Sequence, residues 1–383
     1  MNVSSFGRAA AILSVASLAL VACGDNGDVD ETDENGGGVE ENGDNGEASG
    51  DVDLASVSGN LAGAGASSFQ LAIQEWQAEF PNITDGANVD YDPVGSGDGR
   101  AQFLNEAVAF AGSDALMDEE EFEESQGRCG DDGAFHIPTA ILPIAVGVNL
   151  EGVDELNLDG ETIAQIFSGE ITSWDDDAIA ELNEDAELPS ETITVVHRQD
   201  SSGTTENFTD YLEQATEAWA WDADSEWPGD ISAETGDGTS GVIEAALSVD
   251  GAITYADAEQ AEQGGLTSVS LVIGEDATGP SPEAAAEAVA SSELRGEGAD
   301  NDMGFDLNRA TDEEGAYPIV QVAYTIWCNE YSDEEEAELA QAFAAYITSE
   351  DAQQIAAEEA GAAPLNDELM EQAQESISQI SAG

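Results

Sequence analysis

Residues 193–212 read ITVVHRQDSSGTTENFTDYL. The apolar end of TITVV (192–196) predicts a strand, and Phe208, Tyr211 and Leu212 recur at helical spacing. Between them, RQDSSGTT is a short loop that sets Ser202, Gly203 and Thr204 where the helix begins. Free N–H groups at a helix start point outward, and the helix dipole favours an anion there. Gly203 permits close approach, the hydroxyls add donors, and Arg198 offers a planar fork suited to a tetrahedral oxyanion. Asp200, two residues on, can hold that guanidinium. With no Lys the loop is not a Walker motif. Taken alone, the segment fits an ordinary Ser N-cap beside a surface Arg equally well.

Arg198 stands out because the 383-residue chain has six Lys+Arg, all of them Arg, against 84 Asp+Glu. A formal charge of -78 repels nucleic acid and anionic lipid, which makes both poor partners. Hydrophobic content of 41% is ordinary for a folded protein, so the charge reads as adaptation to a salt-rich habitat. No D-x-D-x-D-G loop supports calcium binding, and no His/Cys/Asp cluster has metal spacing. Neither a metal nor a cofactor is expected.

At the N-terminus, Arg8 precedes an apolar run from Ala9 to Ala22 that is too short to span a bilayer. The pattern predicts a signal peptide over 1–22. Leu20-Val21-Ala22-Cys23-Gly24 resembles a lipobox, which would make Cys23 the lipidated first residue of the mature chain. Residues 24–53 carry twelve Asp or Glu and no aromatic residue, so 23–58 is expected to be an extended acidic tether. The chain is then exported and lipid-anchored to the outer face of the cytoplasmic membrane. Cys129 and Cys328 remain, and an oxidising compartment favours a disulfide over two buried thiols.

The rest alternates strands with helices. Phe69, Ile73, Trp76 and Phe80 predict a helix that Pro81 stops. TAILPIAVGVNL (139–150) predicts a strand buried on both faces. Further strands are expected over 251–257, 266–273 and 317–327, and helices over 332–348 and 349–360. This is an α/β pattern with mixed or parallel sheets. Two more Gly- and Ser-rich segments open helices: GAGASSF (63–69), with Ser67 and Ser68, and GSGDGR (95–100), with Ser96. FAGSDA (110–115) adds Asp114 after an apolar stretch. Arg100 is expected to pair locally with Asp98.

In order and rough spacing, GAGASSF, GSGDGRAQFLNEAVAFAGSDA, LNLDGETIAQIFSGEITSWDDDAIAELN and ITVVHRQDSSGTTENFTDYL resemble the phosphate-binding proteins of bacterial phosphate ABC transporters. The resemblance runs from about residue 59 to the end of the chain. It implies a two-lobed, periplasmic-binding-protein-like fold of type II, with the ligand in the interlobe cleft. Lobe I would comprise 59–141 plus 319–383, and lobe II 142–318. It implies phosphate contacts from Ser67, Ser68, Ser96, Asp114, Arg198, Ser202, Gly203 and Thr204, with Asp200 bracing Arg198. The family's aromatic–Pro pair is replaced here by Phe69-Gln70, which leaves the register of Ser67 and Ser68 open by one. The implied partners are inorganic phosphate and ABC permease subunits, with the protein itself a monomer.

Among the anions, Asp114 disfavours unprotonated sulfate and molybdate, while arsenate is not separated from phosphate. A surface sensor or adhesin with the same fold also stays open. The enzyme reading, a secreted phosphatase or serine hydrolase using Ser202 or Ser96, is disfavoured. The chain has no G-x-S-x-G elbow. His197 should point away from the side of Arg198, and His136 is the only other His.

Overall fold

The computed structural model describes residues 53–274, 276–295, 298–311, 313 and 315–383. The leader, Cys23 and most of the acidic tether lie outside the described residues.

β1 (Asn60–Gly65) turns into α1 (Gln70–Ile83), whose Ile73, Trp76 and Phe80 are buried as their spacing requires. Pro81 lies inside α1 instead of ending it. Only two helical residues follow, so the missing N–H removes a bond from the last turn alone. Thr84 Oγ1 donates to the Phe80 carbonyl at 2.8 Å and closes that end.

Next come β2 (Asn88–Asp92), α2 (Ser96–Leu104), β3 (Phe110–Ser113) and α3 (Glu119–Cys129). Asp118 and Glu121 form a capping box that starts α3. At its end, Cys129 is disulfide-bonded to Cys328. Closing a loop of 199 residues restrains the unfolded chain, by about 5 kcal/mol on a chain-entropy model.

β4 (Ala134–Asn149) starts five residues before the expected strand and is buried along all but its last residue. After it the chain runs β5 (Asn157–Asp159), α4 (Gly160–Phe167), α5 (Asp177–Leu182), β6 (Thr194–Arg198) and α6 (Gly203–Ala215). It continues through β7 (Glu234–Gly236), α7 (Gly238–Leu247), β8 (Ala252–Asp257) and α8 (Ala258–Gly264). The single strand expected over 266–273 is two, β9 (Thr267–Ser268) and β10 (Ser270–Ile273), because the chain changes partners at Val269. β9 pairs with β4, and β10 with β5.

β11 (Asp276–Thr278), α9 (Pro282–Ala290), β12 (Glu293–Leu294) and β13 (Phe305–Asp306) lead back to β14 (Val320–Cys328). The C-terminal part holds β15 (Glu330–Tyr331), α10 (Glu334–Ile347), α11 (Glu350–Ala360), α12 (Asp367–Ile377) and β16 (Ser381–Ala382).

The main sheet has the order β2-β1-β3-β14-β4-β8-β6-β7 and is mixed. Its flanks are parallel, β1 with β2 and β3, and β6 with β7 and β8. Its spine, β3–β14–β4–β8, is antiparallel. β4 changes neighbour midway: Ala134–Pro143 pairs with β14, and Ile144–Asn149 with β8. Two large apolar clusters divide at the same place. One holds Leu61–Leu142 and Ala323–Ile380 side chains together with Met303, the other Ile144–Ile319 side chains. The architecture is thus a two-lobed α/β fold with β4 running through both cores.

Candidate functional site

The site forms where four short segments meet, and each is a consequence of local backbone chemistry. Gly65 has φ +147°, and a Cβ there would lie 1.9 Å from the Gly112 carbonyl oxygen. Only glycine lets β1 pass so close to β3 and deliver Ser67 and Ser68. Tyr91 steadies the same turn by donating its hydroxyl to the Ala66 carbonyl at 2.9 Å. Ser96 opens α2, and Asp114 follows β3 directly. Ser202 caps α6, accepting the Thr205 N–H at 3.2 Å. Gly203 is needed for approach and not for φ: a Cβ there would lie 2.6 Å from Ser96 Oγ and 2.8 Å from Asp114 Cβ.

Ser67, Ser68, Ser96, Asp114, Arg198, Ser202 and Thr204 are all buried, each at most 4% exposed. Ser68 Oγ donates to Asp114 Oδ1 at 2.6 Å, and the Asp114 N–H donates to Ser96 Oγ at 3.1 Å. The Thr204 hydroxyl is buried, has no hydrogen-bond partner of normal geometry, and faces the same carboxyl. None of the described backbone hydrogen bonds uses the N–H of Ser67, Ser68, Phe69, Ser96, Gly203 or Thr204. These N–H groups have no backbone acceptor among the described residues, an arrangement that suits a buried anion.

Arg198 ends β6, and its Nε donates to Asp200 Oδ1 at 2.8 Å while Nη2 donates to Oδ2. The Gly238 N–H, at the start of α7, donates to Asp200 Oδ1 at 3.0 Å. Burial pushes the Asp200 carboxyl up, but the Arg198 pair overcomes this and holds it below the usual range. Asp114 goes the other way. Burial raises it to about 6, against the pull of the Ser68, Ser96 and Thr204 hydroxyls and of Arg198. A neighbouring acid, Asp257, is raised further, to about 8, chiefly by burial, with the Asp114 charge adding to it. The site therefore holds one carboxyl, Asp114, that accepts from the Ser68 hydroxyl and is set among neutral donors and one braced cation.

Arg100 differs from expectation. Asp98 is exposed, whereas Arg100 is buried and its Nε lies 3.0 and 2.9 Å from the two Glu121 oxygens. Its Nη1 donates to Ser113 Oγ at 3.0 Å. The capping box of α3 holds Glu121 facing α2, so the partner 21 residues away wins over the one two residues away. His197 stacks on Trp227 at 5.2 Å, and its Nδ1–H donates to the Arg198 carbonyl. His136 has both ring nitrogens engaged, with the Met117 N–H and with Asp302. Neither imidazole hydrogen-bonds a site serine among the described residues.

Three site neighbours escaped the sequence reading. Asn207 Nδ2 donates to the Asp114 carbonyl at 2.6 Å and to the Gly203 carbonyl at 2.8 Å. Thr239 meets Ser67, and Gln260 meets the backbone of Ser67 and Ser68. GDGTSG (236–241) is a further Gly- and Thr-rich helix start, so Thr239 did carry a signal. Asn207 and Gln260 carried none.

The fold is that of a two-lobed binding protein, and its candidate site is lined by donors of the kind that suit an anion. A family model described as a PBP superfamily domain matches residues 53–351. Phosphate-binding protein PstS3 of Mycobacterium bovis is 34% identical over 346 residues, covering 90% of each chain. Phosphate-binding protein PstS of Xylella fastidiosa is 30% identical, covering 71% of this chain and 73% of its own. Among solved structures, a periplasmic phosphate-binding protein (PfluDING) bound with phosphate superposes with TM-score 0.67 at 21% identity, over 83% of this chain and 93% of that one. The phosphate-binding protein from Stenotrophomonas maltophilia gives TM-score 0.62 at 20% identity, over 83% and 93%. The chain belongs to the PstS family of phosphate-binding proteins.

Proposed function

We propose that this protein captures inorganic phosphate outside the cell and delivers it to an ABC permease for import, and that it is not an enzyme. The observation that carries the reading is the Asp114 carboxyl, buried at 3% exposure beside N–H groups of Ser67, Ser68, Ser96, Gly203 and Thr204 that have no backbone acceptor among the described residues. A site made only of donors would take any oxyanion of the right size. One acceptor among them selects for an anion that still carries a proton. Phosphate near neutral pH has that proton to donate to Asp114. Sulfate has none, and would set oxygen against a buried carboxylate, at a cost of several kcal/mol.

The ligand contacts in this reading are Ser67, Ser68, Ser96, Asp114, Arg198, Ser202, Gly203 and Thr204, with Asp200 bracing Arg198. Lobe I comprises 59–141 plus 319–383 and lobe II 142–318; the change of neighbour along β4 between Pro143 and Ile144 supports a division there. A signal peptide over 1–22 directs export, and a lipid on Cys23 and an acidic tether keep the monomer at the outer face of the membrane. The acidic surface is compatible with anion capture in concentrated salt, where the Debye length falls to about 3 Å and long-range repulsion vanishes.

The test is calorimetry in molar salt on ligand-stripped protein, with sulfate and arsenate as competitors, for wild type and Asp114→Asn. Tight phosphate binding by wild type, unaffected by sulfate, is expected. Asp114→Asn should lose several kcal/mol of discrimination between the two anions, the cost of leaving a buried charge unpaired. A folded protein that ignores phosphate would refute the reading.

A further inference from the structure

α8 begins at Asp257, whose Oδ1 accepts the Gln260 N–H at 3.0 Å. A Gln at this third helical position would complete a capping box by turning back to the N-cap N–H. Gln260 does not. It is 9% exposed, and its Nε2 donates to the Ser68 carbonyl at 2.6 Å and to the Ser67 carbonyl at 3.1 Å. Those carbonyls are 192 and 193 residues away. On the division proposed above, donor and acceptors belong to different lobes.

The two carbonyls matter because of what shares their peptide planes. In a trans peptide the C=O and N–H are antiparallel. The Ser67 carbonyl is in one plane with the Ser68 N–H, and the Ser68 carbonyl with the Phe69 N–H. Fixing both carbonyls from α8 therefore fixes the direction of two N–H groups, and neither has a described backbone acceptor. A second contact from α7 holds the side chain between them. The Thr239 N–H donates to Ser67 Oγ at 3.2 Å, and Thr239 Oγ1 lies 3.0 Å from it.

We propose that Gln260 is a positioning residue for anion capture: its bonds to the Ser67 and Ser68 carbonyls, made across the cleft, align the donors of that segment and so couple donor alignment to closure. The inference rests on the phosphate reading. The restraint on the donor segment then comes from α7 and α8 of the opposite lobe.

The experiment uses the full chain in molar salt, with Gln260→Met, which keeps length but donates nothing, and Gln260→Asn, which is too short to reach both carbonyls. Phosphate affinity is read by calorimetry, release by stopped-flow tryptophan fluorescence, and the thermal midpoint without ligand by scanning calorimetry. Gln260→Met should bind about 10- to 100-fold more weakly, through faster release, as expected for two lost buried hydrogen bonds. Gln260→Asn should fall between it and wild type. The ligand-free midpoint should move by no more than about 1 °C, because an open cleft lacks the contact. Affinities within about twofold of wild type for both variants would overturn the proposal. So would a weaker affinity matched by an equal loss of ligand-free stability, which marks a merely structural side chain. Wild type that fails to bind phosphate overturns the parent reading instead, and is seen before any variant is made.

Discussion

Arg198 and Arg309 are both nearly fully buried, at 3% and 2% exposure, yet they use the same guanidinium differently. Arg309 has an acceptor for every nitrogen. Nε donates to Asp210 Oδ2 at 3.0 Å, Nη1 to the Pro318 carbonyl at 3.1 Å and to the Val320 carbonyl, and Nη2 to Asn207 Oδ1. Burial lowers its pKa, and the Asp210 carboxylate opposes that. Arg198 has Nε and Nη2 engaged by Asp200, while Nη1 has no protein acceptor among the described residues. Burial alone therefore does not mark a binding arginine; a donor edge left over after the protein has been served does. Arg309 ties α6 to the segment entering β14. Arg198 keeps one donor edge that no described group uses, the edge that the proposal gives to phosphate.

That contrast can be broken most directly at Arg198. Arg198→Met should weaken phosphate binding about 1,000-fold or more, the scale for truncating one partner of a buried charge contact. Calorimetry reads this, and a loss under tenfold would erase the distinction between the two arginines. Arg309→Met should act mainly on stability. Removing it leaves Asn207 and two backbone carbonyls unsatisfied, and about 3 kcal/mol of folding free energy should be lost. A urea midpoint measures that, while phosphate affinity should change by less than about tenfold, since Asn207 still binds Gly203.

A smaller effect sharpens the comparison through pH. Asp114 has its pKa raised from 3.8 to about 6. Its folded form therefore holds the proton more tightly, and the stability it contributes is present below pH 3.8 and lost as pH rises through about 6. On the proposed reading, the neutral acid below about pH 6 becomes a donor and should no longer reject sulfate. Sulfate competition should emerge as pH falls from 7 towards 5, and be absent in Asp114→Asn as a pH-dependent step. Asp257, raised to about 8, is mostly protonated across that window, whereas Glu206, raised to about 7 by burial, titrates near its upper end.

Much of this site was visible before any fold. Three helix starts rich in Gly, Ser and Thr, plus one Arg beside one Asp, are local features, because a helix terminus leaves its N–H groups free wherever it occurs. The Asp200 brace was legible for the same reason, lying two residues from Arg198. Arg100 was misjudged by that very rule: its carboxylate lies on the next helix, 21 residues on, and Asp98 faces solvent. The break at Val269 was hidden because an apolar run has one period whether it serves one sheet or two.

By itself, then, the sequence determined which atoms could meet an anion: hydroxyls, helix-start amides, one guanidinium and one carboxylate, all set by residue type and short-range spacing. The tertiary structure decided what those atoms are free to do. It brought Gly203 against Ser96 and Asp114, left the donor edge of Arg198 open while filling that of Arg309, and set Gln260 on carbonyls more than 190 residues away. Such contacts depend on how β4 joins two cores, and no periodicity within a single element records them.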